Sequence, residues 1–84
     1  MIHSLAVTAA QRPEVLERIL RVARHRGFTV MQMQMRLEED NVSLDIKVDS
    51  ERAIELLTNQ LSKLIDVIHC QVQTPVQLSK TANG

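Results

Sequence analysis

Residue types able to do chemistry are sparse in this chain. Three histidines stand at His3, His25 and His69, and one cysteine at Cys70. A metal site would draw on His3, His69 and Cys70, because the first and last strands of the plan argued below are neighbours. Adjacent residues of a strand point to opposite faces, however, so His69 and Cys70 do not converge on one ion. The same geometry defeats a Cys–His nucleophile pair, and no third group is placed to orient the imidazole. Ordinary roles fit better, His69 as a sheet residue and Cys70 as a small apolar filler. Glu14, Glu17, Glu51 and Glu55 occupy helix starts, while Glu38, Glu39 and Asp40 form a solvated turn. The two glycines, Gly27 and Gly84, are too far apart for a phosphate-binding loop. Arg18, Arg21, Arg24 and Arg26 could hold an anion, but glutamates are interleaved with them, as on a wetted helix face. Met31, Met33 and Met35 could offer an adaptable surface. Their alternation is better read as core filling along a strand. None of this is a catalytic constellation, and the residues point to a binding or interaction module.

The elements that carry these residues follow from period and punctuation. Residues 2–8 alternate as a strand, with Leu5 and Val7 on one face and Ser4, Ala6 and Thr8 on the other. A connector, Ala9-Ala10-Gln11-Arg12, leads to Pro13, which suits a first helical position. Val15, Leu16, Ile19, Leu20, Val22 and Ala23 then form an apolar stripe at helical spacing. Glu14–Arg18 and Glu17–Arg21 are i,i+4 pairs. Arg24, His25 and Arg26 fall in the last turn, and Gly27 ends the helix. From Phe28 to Leu37 the period becomes two. After the polar turn of residues 38–41, Val42, Leu44, Ile46 and Val48 alternate with Ser43, Asp45 and Lys47, so the two strands form a hairpin. Asp49 or Ser50 can cap a second helix, whose buried stripe is Ala53, Ile54, Leu57, Leu61 and Leu64. Residues 65–72 read as a last strand, with Ile65 and Val67 on one face and Ile68 and Cys70 on the other.

The order is βαββαβ, an α+β class of ferredoxin-like plan with a four-stranded antiparallel sheet and two helices on one face. Residues 1–73 form the domain, and residues 74–84 are expected to be a flexible C-terminal tail. The open sheet face is partly polar, at Ser43, Asp45 and Lys47, and partly small, at Ala6 and Thr8. Free edges favour pairing of subunits. In this fold a ligand carboxylate is best placed at Ala10-Gln11-Arg12, beside the unpaired N–H groups that open the first helix.

Length and charge narrow the function. With 84 residues the chain is one small domain, and it buries only about 60% of the surface that it exposes when unfolded. Association with another subunit is a common remedy for so small a core. Ten basic and ten acidic side chains cancel, and Phe28 is the only aromatic residue. A nucleic-acid binder usually has a basic surplus and stacking rings, so an RNA-binding version of this plan is disfavoured. No apolar run approaches the ~18 residues that span a bilayer. The lone cysteine and the absence of a leader pattern give a cytoplasmic expectation.

The stretch from Gln11 through Leu-Glu-Arg-Ile-Leu-Arg-Val-Ala-Arg-His-Arg-Gly-Phe, ending at Phe28, resembles the start of an ACT domain. With Met33-Gln34-Met35 and the run from Gln60 to Val67, it is similar to the small regulatory subunits of acetohydroxyacid synthase (acetolactate synthase) of the isozyme II type. The resemblance covers nearly the whole chain. It implies a large catalytic partner that holds thiamine diphosphate, magnesium and FAD and makes acetolactate for valine, leucine and isoleucine. It implies no catalytic residue and no cofactor on this chain. It further implies a homodimer through ACT domains, with a possible amino-acid effector at the first strand–helix connector. The candidate effector residues are Gln11, Arg12, Glu14, Val15 and Leu16. Valine-sensitive relatives resemble Asn-x-x-Gly-x-Leu there, and many other ACT domains Asp-Arg-Pro-Gly. Here Leu16 and Arg18 match, but Gln11 stands at the asparagine position and Glu14 at the glycine position. Glycine allows a ligand close to the backbone, whereas a glutamate adds bulk and negative charge. Weak or absent valine feedback is therefore expected. The alternative is a free-standing amino-acid-sensing ACT dimer.

Overall fold

A computed structural model describes residues 1–73; the expected tail, residues 74–84, lies outside the described residues. The elements are β1 (Ile2–Ala10), α1 (Val15–His25), β2 (Thr29–Glu38), β3 (Asn41–Asp49), α2 (Ile54–Ser62) and β4 (Val67–Gln73). They follow the βαββαβ order expected. The sheet order is β2-β3-β1-β4, and every neighbouring pair is antiparallel. Among the described residues, no helix is long and apolar enough to cross a membrane.

One face of the sheet carries the core. Leu5, Val7 and Ala9 of β1 and Val42, Leu44, Ile46 and Val48 of β3 are buried against Val15, Ile19 and Ala23 of α1 and Ile54, Leu57 and Leu61 of α2. The period-two and helical stripes thus meet as their spacing requires. Gly27 closes α1 in the left-handed region, at φ 86. The Phe28 N–H bonds to the Ala23 carbonyl at 2.9 Å and the Gly27 N–H to the Arg24 carbonyl at 3.1 Å. That pair of bonds is a Schellman closure, and it drives Phe28 into the core.

Several local expectations are corrected. Helix α1 starts at Val15 rather than Pro13, because the Val15 N–H bonds back to the Arg12 carbonyl in a preceding turn. Neither Asp49 nor Ser50 caps α2. Ala53 holds that place with an extended backbone, and Ser50 instead donates to the Gly27 carbonyl and accepts the Arg52 N–H. The β2–β3 loop is only Glu39-Asp40, with Glu38 opposite Asn41. The pairs Glu14–Arg18 and Glu17–Arg21 are absent among the described ion pairs; Arg18 turns to Asp66 instead.

Two bulges alter which residues face inward. Register shifts between Val30 and Gln32, so Met31 is the extra residue of β2. Met33, Met35 and Leu37 keep the inward parity, yet β2 is an edge strand that the helices cover poorly. Met31 and Met35 remain 54% and 50% exposed, and Met33 is only half-buried. The methionines are thus mostly a surface feature rather than core filling. In β4 the shift falls opposite Thr8 and Ala9, making Ile68 the extra residue. Val67 and Cys70 consequently share the inward face, Ile68 faces solvent, and Ile65 lies in the turn before the strand.

Candidate functional site

The connector between β1 and α1 is held from two sides. On one side the Gln11 N–H donates to the Asp40 carbonyl at 3.0 Å, and the Gln11 side-chain amide reaches the Asn41 carbonyl at 3.5 Å. On the other, the Ala10 N–H donates to the Asp66 carbonyl at 2.8 Å. Beyond the connector, the Arg18 N–H meets the Glu14 carbonyl at 3.1 Å. The N–H groups of Leu16 and Glu17 have no backbone partner among the described residues, as is usual for a first helical turn.

Next to this connector lies a groove of about 390 Å³, lined by Gln11, Arg12, Pro13, Val15, Leu16, Met35, Leu37 and Val42. It opens between the start of α1 and the β2–β3 hairpin. Of the five candidate residues, Gln11, Arg12, Val15 and Leu16 line it and Glu14 does not. Val15 is buried in the core, Leu16 is half-buried, and Gln11 and Arg12 are exposed. Sequence reasoning missed the far wall, Met35 and Leu37, because it placed the methionine strand in the core.

It also missed Asp66. This carboxylate is 8% exposed and sits between two guanidiniums, Arg18 at 2.6 Å and Arg12 Nε at 3.4 Å. A buried carboxylate needs such partners, since burial without them costs several kcal/mol. The consequence for the groove is chemical. Arg12 is the one cation of its lining, and that cation is already engaged. The rest of the wall is apolar apart from Gln11, whose side-chain N–H lies 3.5 Å from the Asn41 carbonyl. Asp66 offsets part of the Arg12 charge, so the largely apolar arrangement suits an aliphatic group better than a ligand carboxylate.

His3 and His69 do not converge. His69 is paired opposite Thr8 and His3 opposite Val48, at the two ends of β1. His69 is 2.9 Å from the Gln71 side-chain oxygen. Cys70 faces the core, and burial pushes its thiol up from the ordinary value of 9.0. A raised thiol is a poor nucleophile at neutral pH. Among the described residues no three of the His, Cys, Asp and Glu side chains form a cluster suited to a metal ion.

Comparison with known proteins places this geometry. A family model described as "ACT domain" matches residues 11–70. The acetolactate synthase isozyme 2 small subunit of Escherichia coli (strain K12) is 46% identical over 82 residues, covering 92% of this chain and 94% of that one. Among solved structures, the small subunit of acetolactate synthase from Thermotoga maritima superimposes with a TM-score of 0.79 at 22% identity, over 90% of this chain and 49% of that one. The ACT domain of the GTP pyrophosphokinase from Chlorobium tepidum gives 0.72 at 9% identity, over 87% and 97%. At these identities the two structures speak for the fold alone.

Proposed function

Because the chain belongs to the ACT-domain family, in the line of the acetolactate synthase small subunits, we propose that it is the small, non-catalytic regulatory subunit of an acetolactate synthase. The observation that carries this reading is 46% identity along nearly the full length of both chains. The chain then works by binding a larger catalytic subunit in branched-chain amino-acid biosynthesis. Thiamine diphosphate, magnesium and FAD belong to that larger subunit. Activation requires that the small subunit bind the partner's active arrangement more tightly than its inactive one; equal affinity for both would shift nothing. A cytoplasmic location accords with this role.

Two finer points belong to the same reading. The chain pairs with a second copy along the α1 and β2 edge, where Leu20, Met31, Met35 and Leu37 are exposed side by side with a free strand. Valine feedback through Gln11, Arg12, Glu14, Val15 and Leu16 is weak or absent, and the contact of Arg12 with Asp66 supports this.

The test is acetolactate production by the cognate catalytic subunit with and without this chain, with and without valine. Stimulation that valine does not reverse is the expected result. No stimulation, together with micromolar valine binding in calorimetry, would instead fit a free-standing amino-acid sensor.

A further inference from the structure

We propose that the turn between α2 and β4 is the corner by which this chain docks onto its catalytic partner, with Ile65 as anchor and Ile68 beside it. The inference rests on the accessory-subunit reading above. Ile65 is 90% exposed and Ile68 is 60% exposed. Single apolar side chains on a surface are ordinary. What distinguishes this corner is how firmly it is held. The Val67 N–H closes the turn onto the Leu64 carbonyl at 3.1 Å. Asp66, next to Ile65, is buried, and its carboxylate is gripped by Arg18 and Arg12. Its carbonyl accepts the Ala10 N–H of β1. β1, the connector and α1 thus fix the residue that follows Ile65, while Ile65 itself stands in water. The bulge turns Ile68 out at the same corner. A rigid apolar anchor loses little freedom on binding, and such anchors dominate interface energies.

The occupant follows from the surroundings. The other cluster of exposed apolar residues lies on β2 and α1, at the opposite edge of the sheet, and gives self-association its own surface. Along residues 62–69 the exposed side chains besides the two isoleucines are Ser62, Lys63 and His69, with Arg12 beside Asp66, and the one carboxylate of the segment, Asp66, is buried and paired. The fitting partner is therefore an apolar pocket with an acidic rim, on the catalytic subunit.

The experiment titrates the full chain against the cognate catalytic subunit and reads acetolactate formation, with calorimetry reading binding in parallel. The variants are Ile65→Ser and Ile65→Ser/Ile68→Ser, with Ile2→Ser, a half-exposed apolar position at the far end of β1, as the control. The double variant is expected to raise the midpoint on the order of tenfold or more. Its melting temperature and sedimentation size should match those of the wild type. An unchanged midpoint overturns the proposal. So does a smaller sedimenting species, which would give the corner to a second copy. A melting temperature lower by several degrees would give it to the chain's own residues 74–84, and equally overturns it. A wild-type chain that binds without stimulating removes the activation reading and still tests the corner; one that neither binds nor stimulates removes both.

Discussion

Asp66 shows how much one side chain can organise in a domain this small. It is the one polar residue buried among the described positions, and it binds three partners through two kinds of group. Its signal in the sequence was a lone charge inside the apolar run Leu64-Ile65-Asp66-Val67-Ile68. Nothing local identifies Arg12 and Arg18 as its partners, because they are brought to it only by the closing of the sheet. Cys70 is the opposite case, a side chain read from sequence as filler and found as filler. Its charged form is the thiolate, which burial disfavours, so the native state holds its proton to higher pH than the unfolded chain. Its contribution to stability is then whole below pH 9.0 and is lost as pH rises through the raised native value. Urea midpoints at pH 8 and pH 10 should fall more for the wild type than for Cys70→Ala. Equal falls would mean that the thiol titrates normally.

At the scale of elements, the order, the type and most of the inward faces were legible in the sequence. Val42, Leu44, Ile46 and Val48 alternate cleanly because β3 is an inner strand with one face fully buried. The edge strands were harder to read. A period-two pattern cannot show a bulge, and the bulges at Met31 and Ile68 each change the face of one apolar residue. Nor can a pattern show cover, which is why the methionine stripe was misplaced and the far wall of the groove with it. The start of α2 was missed because no side chain caps it; Ser50 bridges two loops instead. The contrast between inner and edge positions predicts unequal costs. Leu57 is fully buried, and Leu57→Ala should cost about 2–5 kcal/mol, enough to unfold much of so small a domain. Met35→Ala, at a half-exposed edge position, should stay within about 1 kcal/mol. Denaturant titration of the two variants distinguishes them, and similar losses would place Met35 in the core.

At the scale of the whole molecule, residues 1–73 form a thin two-layer sheet and helix pair whose two edges carry different apolar surfaces. Mass action then makes stability depend on concentration if the α1 and β2 edge pairs two copies. The wild type should melt at a higher temperature as its concentration rises, and Met35→Ser/Leu37→Ser should abolish that dependence without lowering the melting temperature of the dilute protein. A wild-type melting temperature independent of concentration would exclude the pairing. The grip of Asp66 on Arg12 has a further consequence at this scale. The guanidinium that lines the groove and the loop that lifts Ile65 share a single carboxylate. Whatever drew Arg12 away on one side would leave the corner to Arg18 and the Ala10 N–H, so any coupling between groove and corner runs through that one ion pair. By thermodynamic reciprocity, a subunit seated on that corner would alter the affinity of the groove by the same factor. The two sites are tied by a common knot, and loss of Asp66 would untie them together.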